Sequence, residues 1–437
     1  MPSPVYFMND RSVSIETSLV PKMLTVFDAA GLGDLIQPYD LVAIKVHCGE
    51  YNNTSYLRPV YARALADKVR SLGGRPFVCD TTTMSYNASP SRTSALDLML
   101  TAERNGLNSG TLGCPFICAD GFFGTDDVRV DLPEGILLKE AYIAKAVAMA
   151  DVVIALTHFK GHRVGTYGGA IKNMGIGCQS KRGKLNVHLA GHPQWGLNAS
   201  VFNPHLCPGR DCPQWQLCEE CCPYGLIRIT DHTIEWDAEN CRNCLAHLGV
   251  VTCGVLSAPA DNCDGLGVAI ADAALGAVKA VGRDKVGYIN MAIDISPWCD
   301  CALWSDRSIV PNVGVFAGKD PVAIDQACMD MVSQSAGVLE SAAHAAGVTN
   351  PGVPKFTASS SLVGASEELQ INTGAKNGLG SKEYELIECP PAAVSQFRFH
   401  WDPRTNLTRL GRLFCKEPVY PEGGFKRSEL ANLEALR

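Results

Sequence analysis

The sequence predicts an α/β fold, a two-lobed body with mostly parallel sheets, plus a cysteine-rich insert of iron-sulfur type. Three observations predict it. Apolar, β-rich runs alternate with amphipathic helical segments on both sides of residue 200, the pattern that builds parallel sheets. Eight of the nineteen cysteines fall between Cys207 and Cys253, where even scatter would put about two. Between these features lies a Gly-rich stretch, 160–177, dense in His and Lys.

The elements follow in order. DLVAIKVHCG (40–49) reads as a strand, LRPVYARALADKVRSLGG (57–74) as a helix closed by Gly, and RPFVCDTTT (75–83) as a second strand, which makes a βαβ unit. KEAYIAKAVAMA (139–150) reads as helical, and DVVIALTHF (151–159) is the continuous apolar run of a strand buried on both faces. After the insert come a helix at 267–281, a strand at 285–295, and a strand, turn and helix over 308–332, the helix starting near Asp320 with that residue as N-cap. Asp325, one turn on, reads as structural. These boundaries predict an α/β lobe at 1–202, the insert at 203–264, a second α/β part at 265–389 and an irregular tail at 390–437.

Charge narrows the function. The formal net charge is −7, from 38 Lys plus Arg against 45 Asp plus Glu, without any run of five like charges, which argues against nucleic-acid or membrane-surface binding. The N-terminus lacks the basic and apolar regions of an export signal, and no stretch reaches the roughly 18 apolar residues of a membrane span. A cytoplasmic location is expected. Nineteen cysteines in a reducing compartment point to metal or cluster ligation rather than disulfides, and hence to oxygen sensitivity and an anaerobic setting.

Within the insert, Cys212, Cys218 and Cys222-Pro223 fit the first, third and fourth places of the bacterial ferredoxin motif C-x2-C-x2-C-x3-C-P, with Trp215 at the second. The run from Cys222 to Cys241 has the length of the hairpin that joins two ferredoxin halves. Cys244 follows, then His247 at the normal third place, Cys253 after a longer loop, and Ser257 where a last Cys would stand. Thiolate being the ordinary iron ligand, one [4Fe-4S] cluster is expected on Cys222, Cys241, Cys244 and Cys253, and a second is open to Cys207, Cys212, Cys218 and Cys221. Cys207 and Cys221 are the readiest bystanders, and a zinc site is the alternative occupant.

The stretch after the apolar run concentrates His158, Lys160, His162, Lys172 and Asn173 where open parallel sheets bind ligands. His158, Lys160, His162 and Lys172 are the catalytic candidates, since a His beside a Lys can move a proton while the Lys steadies a carboxylate or enolate. His47, Glu50, Asp80, Asn173, Lys184 and His188 are candidates for substrate binding at the same edge. Cys299-Asp300-Cys301 is weaker, a pair of thiols able to hold a metal.

With these residues in view, the chain resembles the domain of unknown function 362 family, often described as uncharacterised iron-sulfur centre proteins, over roughly residues 40–335. The matching segments are VAIKVHCGE with LRP, Asp80 to Thr83, HFKGHRVGTYGGAIKNMGIGCQSKRGK with His188, and VFAGKDPVAIDQA. The resemblance implies a two-cluster ferredoxin insert, from which this chain departs at Trp215, His247 and Ser257. More distantly, the His loop followed by Gly-Gly and Lys-Asn is similar to the nickel-pincer lactate racemase family, which implies a cleft faced by His158 and Lys172. The expected function is an iron-sulfur oxidoreductase that delivers electrons from its clusters to a small anionic substrate or cofactor at the His/Lys loop. A redox partner protein would supply it, and an oligomeric state stays open. The alternatives are a pure electron-transfer module, and a racemase-like or lyase-like enzyme using a cluster as Lewis acid.

Overall fold

The structure, a computed structural model, describes residues 2–84, 90–189, 201–241, 247, 253–257, 260–361, 364–392 and 421–427. In chain order the strands are β1 (Ser3–Asn9), β2 (Leu41–Lys45), β3 (Arg75–Asp80), β4 (Phe116–Cys118), β5 (Asp127–Asp131), β6 (Glu140–Ala144), β7 (Val152–His158), β8 (Lys160–His162) and β9 (Thr166–Gly168). They continue as β10 (Val201–Phe202), β11 (Ile227–Ile229), β12 (Ile234–Trp236), β13 (Leu256–Ser257), β14 (Val286–Ala292), β15 (Gly314–Gly318) and β16 (Tyr384–Glu388).

The central sheet has eight strands in the order β16-β1-β15-β14-β7-β2-β3-β4. Five of its seven ladders are parallel, so the sheet is mostly parallel, and both antiparallel ladders belong to β15. β7 and β14 are buried at all seven positions each, which is why both read as unbroken apolar runs. Strands from before and after the cysteine-rich stretch enter this one sheet, with Val286 beside Val153 and Met291 beside His158.

Residues 139–150 differ from the helical expectation. Glu140–Ala144 is strand β6, paired with β5, and only Lys145–Ala148 is helical. An Ala-rich segment reads as helix by propensity, but the alternate burial of Ala141 and Ile143 against the helix Ala260–Val281 selects the extended form. That helix also packs on the helix Ala170–Gly175, in the second half of the Gly-rich stretch.

The cysteine-rich stretch has a small core of its own. Cys221, Ile227, Ile229, Ile234, Val255 and Leu256 are buried together, with Phe202, Trp215 and Trp236 packed against them. The β11–β12 hairpin is the short one expected between Cys222 and Cys241. The chain divides into two units, residues 1–392 and 393–437; in the second, the described stretch 421–427 is an exposed turn closed by Gly424 N–H on the Pro421 carbonyl, 2.8 Å.

Asp320 is the N-cap of the helix Pro321–Gln334, accepting the N–H groups of Val322 and Ala323. Asp325 does more than fill a helix. Its carboxylate accepts the N–H groups of Ala170 (2.7 Å) and Ile171 (2.9 Å) and the Asn290 amide (2.7 Å), so one buried side chain fixes the helix Ala170–Gly175 onto β14. Gly169 has to be glycine for this approach, because a Cβ there would collide with the carboxylate. Asp325→Ala leaves these donors buried without an acceptor, at about 1–3 kcal/mol each. The expected loss is about 3 kcal/mol in urea unfolding followed by circular dichroism, and a loss below about 1 kcal/mol would contradict this role.

Candidate active site

The parallel strands β2, β3, β4, β7 and β14 end on one edge, and the side chains singled out from the sequence gather there. At this edge β2 delivers Lys45 and His47, β3 delivers Asp80 and Thr81, β7 runs through His158 into β8 with Lys160 and His162, and the loop after β14 carries Cys299-Asp300-Cys301. Carboxyl ends of parallel strands are where open sheets bind ligands. Gly161 brings β8 onto that loop: its N–H bonds the Ser296 carbonyl at 2.9 Å, and a Cβ at 161 would collide with the Pro297 carbonyl.

Asp300 is the centre of the edge. His158 Nδ1 lies 2.9 and 3.0 Å from its two carboxylate oxygens, and Lys160 Nζ lies 3.5 Å from one of them. Burial would raise this carboxyl, but His158 and Lys160 outweigh it and hold it well below the usual carboxylate range. His158 Nε2 faces the Ile293 carbonyl at 2.9 Å, so both ring nitrogens are engaged by the protein. The Asp300 carbonyl in turn accepts the Glu50 N–H at 2.9 Å. Glu50 is fully buried, and its carboxylate is occupied by Arg92 Nε at 2.6 Å and by the Ser91 hydroxyl.

Beside this clasp lie His162, Cys299 and Cys301, with one donor atom from each all within 4.8 Å of one another, a grouping able to hold a metal ion. Lys172 Nζ is 3.7 Å from Cys299 Sγ. A hydrogen bond from Cys301 holds the Cys299 thiol well below its usual value, helped by Lys172 and Lys160, while Cys301 is pushed up. Burial and the neighbouring Lys172 keep His162 neutral, its Nδ1 accepting the Gly165 N–H at 2.7 Å. His47 is likewise kept neutral, at about 4, by burial and Arg92.

The remaining candidates form a second patch along β3. Lys45 Nζ pairs with Asp80 at 2.9 Å and also bonds Asn173 Oδ1, whose amide reaches the Thr157 hydroxyl at 3.0 Å; Asn173 therefore ties β2 to β7. Lys184 Nζ donates to the Thr81 hydroxyl at 2.7 Å, and Lys181 Nζ to the Thr83 carbonyl at 2.6 Å. Burial takes both ammonium groups down to about 8. His188 Nδ1 is 2.7 Å from the Lys184 carbonyl, so Nδ1 carries the proton and Nε2 is the open nitrogen.

Residues 42–330 match the model of a family described as domain of unknown function (DUF362), two thirds of the chain. The chain belongs to the DUF362 family. No curated protein matches it. Among solved structures, the lactate racemase apoprotein from Thermoanaerobacterium thermosaccharolyticum is similar over 76% of this chain at 14% identity and a TM-score of 0.38, and the chain spans 58% of that racemase.

The DUF362 segment encloses the cysteine-rich stretch, most of which is described; Cys244 lies outside the described residues. The β10–β13 ladder, continued by the Asn203 N–H on the Val255 carbonyl (2.8 Å) and the Asn203 amide on the Gly254 carbonyl (3.1 Å), brings the chain leading to Cys207 beside Cys253. Burial and the nearby sulfurs of Cys253, Cys212 and Cys207 push the Cys218 thiol up, so these four thiols share one neighbourhood. Cys221 is turned the other way, buried in the local core with its thiol on the Cys218 carbonyl at 3.1 Å. Cys222 Sγ accepts the Leu226 N–H at 3.3 Å, the kind of contact that supports a ligating sulfur. Trp215, at the broken motif position, packs on the local core with the Arg210 guanidinium 5.3 Å from its ring.

Arg92 and Lys181 were not singled out from the sequence, and Asp300 was named there only as the residue between two thiols. Arg92 carried no local signal, because its role comes from burial against Glu50. Arg92→Ala strands that carboxylate in the interior, where breaking a buried pair costs about 3–5 kcal/mol. Chemical denaturation measures the loss; an unchanged midpoint would show the pair to be dispensable.

Proposed function

We propose that this protein is an iron-sulfur oxidoreductase acting on a small anionic substrate held by the lysines at the carboxyl edge of the sheet. The observation that carries the reading is an excess of buried cations. Lys45, Arg92 and Lys160 have Asp80, Glu50 and Asp300 as partners, whereas among the described residues Lys184 has no carboxylate within ion-pair distance and Lys172 faces only the Cys299 sulfur at 3.7 Å. A buried ammonium without a counter-ion is costly, and an anionic ligand supplies one.

The roles follow from the contacts. Lys172 and Lys184 bind the anion, and Thr81, already bonded to Lys184, is placed to orient it. His188, with Nδ1 tied to the Lys184 carbonyl, presents an unprotonated Nε2 able to accept a proton. His158 and Lys160 hold the Asp300 loop in place, and Glu50 and Arg92 hold the loop from above β2.

In the cysteine-rich stretch, Cys207, Cys212, Cys218 and Cys253 would hold one [4Fe-4S] cluster, and Cys222, Cys241 and Cys244 a second, with His247 at its remaining place. This grouping differs from the sequence expectation in the set given to Cys253, and what supports it is the β10–β13 ladder with the Asn203 bonds, which bring the chain leading to Cys207 beside Cys253. When bound, the clusters would supply low-potential, one-electron reducing equivalents taken from a redox partner protein.

Protein purified without oxygen is expected to hold about eight irons and as many labile sulfides per chain. Cys207→Ser and Cys253→Ser should remove the same signal from the electron paramagnetic resonance spectrum of dithionite-reduced protein, and Cys222→Ser the other. Absence of iron-sulfur absorbance would end the reading; Cys253→Ser behaving like Cys241→Ser would restore the sequence-based division. Reoxidation of the reduced protein by a panel of small carboxylates and oxyanions should slow at least tenfold in Lys172→Ala with the spectrum unchanged. Equal rates would make the protein a carrier.

Lys184 sets a pH profile for anion binding. Its lowered value means that its charge is present below about 8 and lost above it, so affinity holds at lower pH and falls as pH rises through that value. With sulfate, which does not itself titrate there, calorimetry should show weakening by up to about tenfold per pH unit. Lys184→Met should flatten the profile, and a profile flat in the unaltered protein would exclude Lys184 as an anion ligand.

A further inference from the structure

We propose that His162, Cys299 and Cys301 form a mononuclear transition-metal site with one coordination position left for a small anionic ligand. This deepens the substrate reading, but it rests on this trio, of which His162 and Cys299 are buried and Cys301 is half-buried, and not on the iron-sulfur clusters. Two sulfurs and one imidazole nitrogen lie within 4.8 Å of one another. Donors around a tetrahedral ion stand about 3.3–3.8 Å apart, so a modest contraction closes the set. Thiolates with an imidazole select soft or borderline ions such as zinc over magnesium or calcium.

The scaffold is built for the donors. Asp300, between the two cysteines, is fixed on both sides, by His158 and Lys160 at its carboxylate and by the Glu50 N–H at its carbonyl. The Cys301 N–H points at Cys299 Sγ at 3.4 Å, and the Ala302 N–H closes the turn on the Cys299 carbonyl at 2.9 Å. Backbone N–H groups aimed at a sulfur, and groups that hold its neighbours, orient metal ligands in this way. On the other side, the Gly161–Ser296 bond holds β8 so that His162 faces the pair.

Charge decides what completes the site. A divalent ion with two thiolates and a neutral imidazole is neutral overall, while Lys172 stands 3.7 Å from Cys299 and Lys160 beside Asp300. An anion is therefore the favoured fourth ligand. Among the described residues no further His, Cys, Asp or Glu donor joins the group, and three protein ligands with an open place is the pattern of catalytic rather than structural zinc. Occupation costs one contact: His162 Nδ1 accepts the Gly165 N–H, and an imidazole that stays neutral gives up that hydrogen bond whether the metal takes Nδ1 or takes Nε2 and leaves the ring proton on Nδ1.

Cobalt(II) titrated into the full chain without oxygen is the test, because thiolate-bound tetrahedral cobalt gives a sulfur charge-transfer band and intense visible bands. One equivalent should bind with these bands in the unaltered protein and in Cys222→Ser/Cys241→Ser, which removes ligands of the other stretch. The bands should vanish in Cys299→Ser/Cys301→Ser, and in His162→Ala, which keeps both thiols and guards against misfolding of the double variant, affinity should fall at least tenfold. Adding sulfate should shift the visible bands, reporting the open position. Bands that survive loss of the Cys299/Cys301 pair, or a Cys299–Cys301 disulfide found by mass spectrometry in protein that takes up no cobalt, would overturn the site.

Discussion

The clasp on Asp300 is the interaction on which the rest of this edge depends. Its carboxylate is gripped by His158 at the end of β7 and by Lys160 at the start of β8, while its carbonyl is held by the segment after β2. Two separate stretches of chain thus meet on one residue of a third. Because Asp300 sits between Cys299 and Cys301, holding it also aims both thiols. A buried carboxylate is tolerable only where cations surround it, so the same contacts that place the loop also account for charged side chains at the heart of the molecule.

That balance explains the character of the edge. Parallel strands end with their backbone groups directed at a common surface, and the side chains added there are largely basic: Lys45, Lys160, Lys172, Lys181 and Lys184. Asp80, Glu50 and Asp300 neutralise part of this charge. Among the described residues, Lys172 stands beside the Cys299 sulfur and Lys184 beside the Thr81 hydroxyl rather than beside carboxylates. Asp325, from a distant helix, fixes the start of the helix that carries Lys172 and Asn173, so position and charge are set by different parts of the chain.

Much of this was legible in the sequence, and for identifiable reasons. Buried parallel strands announce themselves as unbroken apolar runs, so 151–159 and 285–295 were read correctly, and with them the edge on which His158 and Lys160 fall. The clustering of cysteines was equally plain. What sequence could not show was pairing across the fold. Glu50 looks like a ligand until Arg92 is found against it, and Cys299 and Cys301 look like a weak pair until Gly161 lets β8 carry His162 up to them. The strand at 140–144 was hidden by its alanines, whose helix preference yields to packing against the helix Ala260–Val281.

The position of β1 has a consequence for how the molecule is made. Its two neighbours in the sheet arrive late: Tyr6 pairs with Ala317, and Val5 with Leu386. During synthesis the first strand must therefore wait, unpaired, while nearly the whole of the first unit is translated, and long-range pairing of this kind is slow to form and exposed to wrong partners until it does. The cysteine-rich stretch is completed well before β15 and β16 emerge, and its small core needs contacts only among residues 202–256. Formation of that small core on a nascent chain whose central sheet is still open at one side is thus the order that this topology favours.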